Sequence, residues 1–207
     1  MTALIANGSF ESLNDLKPLI LKNKRVIAVD GGIVGCDQLG ITPDLWVGDF
    51  DSTPPTFLNR YADIEKISLH RDKDETDLEV ALRHEDKRSP PRMTIYAGWG
   101  GRIDHSITHL FLLSRYPNRL FLETSTEVLF AVQGSMQIQT TPGQTLSLLP
   151  IQGPVRSVTT VGLKWELKQG RIDHQFVGIS NVSLGDRVSI EVGDGVLLCC
   201  LNTNREK

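Results

Sequence analysis

Near residue 120 the pattern of apolar residues changes period, and that change decides what the chain can fold into. Before it, short apolar runs at 3–6, 26–29, 45–47, 64–69 and 93–97 read as buried strands. They lead into Asn7-Gly8, Asp30-Gly31-Gly32, Gly48-Asp49, His70-Arg71-Asp72 and Gly98. Helical patterns lie between some of them. Residues 76–86 carry Leu78, Ala81 and Leu82 on one stripe, and residues 104–115 carry Ile107, Leu110, Phe111 and Ser114 on another. Alternating strands and helices predict an α/β layer with a mostly parallel sheet. Beyond residue 120 the helical period stops. Glycines at 134, 143, 153, 162, 170, 178, 185 and 193 separate short β-like runs such as 146–149, 155–161, 188–190 and 196–201. Turn signals at that spacing predict an antiparallel sandwich or barrel. The intervening residues do not match one another, so this is no internal repeat. The expected organisation is an α/β N-terminal domain, 1–120, followed by an all-β C-terminal sandwich domain, 121–207.

Composition narrows the function more than the fold. Lys plus Arg is 22 and Asp plus Glu is 25, a formal charge of −3, which argues against nucleic acid or an anionic membrane as main partner. No apolar stretch approaches the ~18 residues of a membrane span. The first residues lack a basic segment followed by a long apolar one, so no signal peptide is expected. Cys36, Cys199 and Cys200 are an odd number without C-x-x-C spacing, and the last two lie in an apolar run. Buried free thiols in a reducing cytoplasm are expected. The distribution of Asp says more: 11 of the 15 lie between Asp30 and Asp104. Asp is a poor former of helices and strands, so a local excess implies turns, helix starts or a site.

The polar loops all follow predicted strands, and in an open α/β sheet the carboxyl ends of strands line the ligand crevice. In GDFDS, 48–52, Asp49 and Asp51 are two apart and in an extended segment point the same way, toward one cation. Mg²⁺ suits a few carboxylates plus water and phosphate. An Asx turn closing a strand is the structural alternative. In KDETDLE, 73–79, Thr76 and Glu79 fit a capping box, with Asp77 in the first helical turn. Such a helix start can also present a binding carboxylate. GWGGRIDH, 98–105, joins three glycines to Arg102 and Asp104. Glycine backbone can approach phosphates closely, and Arg102 offers a fork for their oxygens. Asp104 is alternatively the N-cap of the next helix. His105 and His109 are four apart but lack the H-E-x-x-H glutamate of a zinc site. No P-loop and no G-x-G-x-x-G occurs.

Together these segments resemble the bacterial type of the thiamine pyrophosphokinase family. The resemblance is carried by DGG at 30–32, PDLWVGDFDS at 43–52, KDETDLEVAL at 73–82 and GGRIDHSITHLFLL at 100–113, with weaker matches at 146–165 and at GISN, 178–181. It implies an α/β nucleotide-binding domain, a β-sandwich, and a cytoplasmic homodimer with active sites at the subunit interface. The implied reaction moves the pyrophosphoryl group of ATP to the hydroxyl of thiamine, with Mg²⁺, giving thiamine diphosphate and AMP. By position, Asp49, Asp51 and Asp77 resemble the carboxylates that hold Mg²⁺ and the phosphates. Asp104 resembles the acid that orients or deprotonates the thiamine hydroxyl. Asn7, Asp30, Gly31, Gly32, Lys73 and Arg102 fall on the nucleotide side. Thr76, Ser180 and Asn181 fall on the thiamine side, the last two reaching it from the partner subunit. Eukaryotic members place a Trp shortly after the GISN segment, whereas this chain reads NVSLGD.

Two other classes fit parts of the chain. The segment 49–53 resembles the D-x-D-x-T nucleophile motif of Mg-dependent phosphohydrolases, although it follows the third strand and no Asp-Asp pair occurs anywhere. A non-enzymatic nucleotide-sensing or thiamine-binding module would not need three separated acids at the metal edge.

Overall fold

Strand β1 (Thr2–Ile5) is buried at every residue, as expected of a strand in the middle of a parallel sheet. The computed structural model, which describes residues 1–51, 53–72 and 74–203, continues with α1 (Leu13–Ile20), β2 (Arg25–Val29), α2 (Gly32–Leu39), β3 (Leu45–Gly48), α3 (Pro55–Arg60), β4 (Glu65–Ser68), α4 (Asp77–Asp86) and β5 (Met93–Tyr96). Helix α5 (Ile103–Arg115) and β6 (Leu120–Glu123) follow. The chain forms two compact units, Met1–Ser106 with Glu123–Ser125, and Ile107–Leu122 with Thr126 onward.

In the first unit all strand pairs are parallel, in the order β5-β1-β2-β3-β4. The register positions the site. Ile5 lies opposite both Ala28 and Tyr96, and Ala28 lies opposite Trp46. Asn7, Asp30, Gly48 and Gly98 are each two residues beyond that level, so they share one edge of the sheet. The order runs outward from β1 to β4 and then returns to β5 on the other side of β1. A crevice for a ligand opens where the order reverses. The core joins Ala3, Ile5, Leu13, Leu16, Ile33, Cys36, Trp46 and Tyr96. Helix α4 buries Leu78, Ala81 and Leu82, the stripe read from the sequence.

The stripe read for α5 is corrected. Ile107 and Phe111 are both exposed, while Ser106, Leu112, Leu113 and Ser114 are buried. Apolar spacing alone does not distinguish a face that is buried from an apolar face left open.

The second unit is antiparallel and strand-rich, with β7 (Glu127–Gln139), β8 (Thr145–Pro150), β9 (Val155–Val161), β10 (Gly170–Ile172), β11 (Gly178–Val182) and β12 (Arg187–Asn202). The runs 188–190 and 196–201 are one strand, β12, whose register shifts between Val192 and Leu197. Gly193 therefore marks an irregularity inside a strand and not a turn between two. The shift lets β12 serve two layers. Its first half pairs with β9 and its second half with β8, while β7 follows both. Phe130, Val132, Leu146, Leu148, Val158, Ile190 and Leu197 fill the core of this sandwich.

Candidate active site

Three residues that follow strands of the first unit adopt left-handed backbone without being glycine: Asp30 (φ 48°), Phe50 (φ 61°) and Ala97 (φ 49°). Such conformations cost about 1–3 kcal/mol each and persist only where neighbours enforce them. The neighbours are evident. Asp30 N donates to Val47 O at 2.7 Å, and the buried Trp46 donates through Nε1 to Asp30 O at 3.0 Å. Phe50 packs edge-on against Trp46, centroids 4.6 Å apart. Two glycines are required by close approach. A Cβ on Gly32 would lie 1.9 Å from Ile5 O, and one on Gly8 would lie 2.4 Å from Ala97 O.

The acids lie along this edge. Asp30 Oδ2 is 3.5 Å from Asn7 Nδ2, whereas its buried Oδ1 has no hydrogen-bond partner among the described residues. Burial pushes the Asp30 carboxyl above its ordinary value. Asp77 and Asp49 push it the same way, against the Gly31 N–H. Carboxylates that push a neighbouring acid's pKa up suit a cation between them. Asp49 Oδ1 accepts from Asp51 N at 3.1 Å, so the Asx turn is present. Its geometry leaves the second oxygen outside the turn. Asp51 is exposed, 3.7 Å from Arg71.

Asp77 opens α4 behind a complete capping box. Thr76 Oγ1 accepts from Glu79 N at 3.2 Å, and Thr76 N donates to Glu79 Oε2 at 2.9 Å. Thr76 also donates its hydroxyl to Glu79, at 3.0 Å, which commits that hydroxyl to the cap. Lys73, together with Ser52 of GDFDS, lies outside the described residues.

Among the described residues no three His, Cys, Asp or Glu side chains gather closely enough to enclose a metal. The orphaned Oδ1 of Asp30 and the mutually repelling acids fit Mg²⁺ in the manner usual for it, with one or two carboxylates and the rest of the shell from phosphate and water.

Asp104 is not the N-cap of α5; it lies inside the first turn, after Ile103. Arg102 grips it at 2.6 Å (Nη2 to Oδ2) and 3.1 Å (Nε to Oδ1). That fork, with the His105 N–H, holds the Asp104 carboxyl down to about 2. Gly31 and Gly32 open α2 directly after Asp30, with Ile33 N donating to Asp30 O at 3.4 Å and Val34 N to Gly31 O at 3.0 Å.

In the second unit Ser180 is exposed, with φ 55°, and its N–H donates to Ser147 Oγ. Asn181 is buried and committed. Its Nδ2 donates to Trp165 O at 2.7 Å, and its Oδ1 accepts from Trp165 N at 3.1 Å and Val182 N at 2.9 Å. Sequence reasoning missed the consequence. Asn181 ties GISN to the backbone of a different aromatic residue, Trp165, which is 57% exposed with Lys164 Nζ 4.6 Å from its ring. The signal was available, since Trp165 ends the matching segment 146–165.

A parallel sheet with acids at its strand ends is joined in one chain to an antiparallel, strand-rich unit. The family model for the thiamin pyrophosphokinase catalytic domain matches residues 16–124, and that for the thiamin pyrophosphokinase vitamin B1 binding domain matches 135–197. The chain belongs to the thiamine pyrophosphokinase family. It is 27% identical to thiamine pyrophosphokinase of Bacillus subtilis over 97% of this chain and 98% of that one. It is 26% identical to thiamine pyrophosphokinase 1 of Arabidopsis thaliana over 94% of this chain and 75% of that one. The crystal structure of the B. subtilis protein superposes with a TM-score of 0.86 at 24% identity, covering 98% of this chain and 99% of that one. The Geobacillus thermodenitrificans protein gives 0.88 at 22% identity, covering 98% and 97%. The reaction of the family is ATP-dependent transfer of a pyrophosphoryl group to thiamine. These matches give no support to the phosphohydrolase reading of 49–53. Among the described residues no helix is long and apolar enough to cross a membrane.

Proposed function

We propose that the first unit, within a catalytic domain 1–120, binds ATP across the strand ends, with Asn7, Asp30, Gly31, Gly32, Lys73 and Arg102 on the nucleotide and Asp49, Asp51 and Asp77 holding Mg²⁺. The single observation that carries this reading is the Asp30 carboxyl, its Oδ1 buried without a partner among the described residues and its charge opposed by Asp49 and Asp77. When bound, Mg²⁺ neutralises the phosphate charge that builds up during transfer. The chain's own residues do the positioning. Glycine at 31 and 32 lets Asn7 and β1 pack against the start of α2 on the nucleotide side, and Arg102 presents its fork to phosphate oxygens. Asp104, ionised, accepts the hydrogen bond of the thiamine hydroxyl and aims its oxygen at the β-phosphorus. While Arg102 holds it, Asp104 is a weak base. Orientation is therefore its main contribution until Arg102 turns to phosphate.

Thiamine is placed by a sandwich domain, 121–207, of the partner subunit, through Ser180 and through Asn181, which acts by holding Trp165; Thr76 acts on the thiamine side by fixing the start of α4. The ring of Trp165 provides a flat face for the heterocycle. The active assembly is a homodimer with sites at the subunit interface. Support comes from Trp165, Ile179 and Leu184, apolar side chains more than half exposed in the second unit. A cytoplasmic location agrees with three free cysteines, Cys36, Cys199 and Cys200. The test is product stoichiometry. With thiamine, ATP and Mg²⁺ the products are thiamine diphosphate and AMP in equal amounts. ADP and inorganic phosphate without AMP would overturn the reading.

A further inference from the structure

At the edge of the first unit, the Asn7–Ser9 turn ties β5's outgoing loop to the nucleotide side. Gly8 N donates to Ala97 O at 2.7 Å and Ser9 N to Trp99 O at 2.9 Å. Asn7 in turn reaches Asp30, and its side chain lies against Gly31. The backbone of Trp99 is thus fixed between the residues assigned to the nucleotide and Arg102, three positions further on.

Its side chain stands half open to solvent. Trp99 is 47% exposed and is in neither of the two core clusters described above, whereas Trp46 in the same unit is fully buried. Four large hydrophobic side chains of this unit are exposed among the described residues: Met1, Leu21, Trp99 and Ile103. Met1 precedes β1 and Leu21 ends α1, so neither lies at the carboxyl ends of the strands. Trp99 is the aromatic one of the remaining two. The acids of the crevice suit a cation and phosphates but offer nothing to a purine, which needs a flat apolar face.

We propose that Trp99 stacks on the base of the bound nucleotide and so selects a base-bearing triphosphate over bare polyphosphate. This rests on the reading that the edge binds ATP. It goes beyond that reading by naming what holds the base.

The experiment compares wild type with Trp99→Ala and Trp99→Phe. Trp99→Ala raises KM for ATP about tenfold or more, the range of base–aromatic stacking, with a smaller effect on kcat. Trp99→Phe restores KM to within about threefold. Inhibition by inorganic tripolyphosphate, which has no base, is the same in wild type and Trp99→Ala. AMP quenches the tryptophan fluorescence of the wild type, and that quenching is lost in Trp99→Phe. A KM for ATP in Trp99→Ala within about twofold of wild type overturns the proposal. So does a loss that falls on KM for thiamine, or one that appears as dissociation of the dimer with KM for ATP unchanged. If the wild type makes no AMP, the functional reading fails separately. The AMP fluorescence titration then still decides whether Trp99 meets a base.

Discussion

Arg102 and Asp104 form a two-point fork, 2.6 Å and 3.1 Å, across a single intervening residue at the mouth of the crevice. The pair is exposed, so it adds little to stability, and its effect is on the acid itself. Arg102 holds Asp104 down to about 2 from an ordinary value of 3.8. Because the folded value is the lower one, the interaction is complete above the ordinary value. It fades as pH falls from about 4 toward about 2. Replacing Arg102 with Gln returns the Asp104 carboxyl toward the ordinary carboxylate range. A carbon-13 titration of the Asp side chains shows the shift, and an Asp104 value unmoved by the substitution contradicts this account of the pair.

Asp49→Asn separates turn from charge. Asparagine keeps an Oδ1 that can accept from Asp51 N, so the Asx turn survives. The lost charge lowers kcat about a hundredfold, the scale of removing one preorganised electrostatic group. The circular dichroism spectrum and melting temperature stay near wild type. A folded Asp49→Asn enzyme with normal turnover rules out the metal role.

Asp30→Asn trades activity for stability. The native Asp30 carboxyl has a raised pKa, so its ionisation opposes folding. That penalty grows as pH rises from the unfolded value through the folded one, and it is complete at neutral pH. Asparagine removes it and tolerates left-handed backbone. Without Mg²⁺ or ATP the variant melts at a higher temperature than wild type, and its turnover falls. Scanning calorimetry at pH 7 measures this. A lower melting temperature contradicts it.

Asn181→Ala tests the link between GISN and the aromatic face. It removes the buried side chain that bonds Trp165 N, Trp165 O and Val182 N. Unsatisfied buried groups make this a loss of about 2–3 kcal/mol. KM for thiamine rises about tenfold as Trp165 loses its placement. A thermal melt together with steady-state kinetics reads both effects. Unchanged melting with unchanged KM for thiamine contradicts the link.

Much of this site was legible in the sequence because strand ends leave strong local marks. Asn7, Asp30, Gly48 and Gly98 each follow or end an apolar run, and the parallel register aligns them, with Asp49 next to Gly48. The capping box at Thr76 was legible for the same local reason. Helices α1, α2 and α3 were not individually legible, since six to eight residues are too few to establish a helical period. The continuity of β12 was hidden because glycine marks turns and bulges alike, and only the partner strands distinguish them. The placement of Trp165 was hidden because Asn181 reaches it across sixteen residues of chain. The pairing of Arg102 with Asp104 was hidden because two residues already assigned separate ligands gave no local sign of meeting.

The most direct test is AMP formation from ATP and thiamine, measured with Mg²⁺ and again with excess EDTA. The account predicts thiamine-dependent AMP release with Mg²⁺ that stops in EDTA and returns when Mg²⁺ is restored. Undiminished release in EDTA, or no AMP from a folded protein given Mg²⁺, would contradict it.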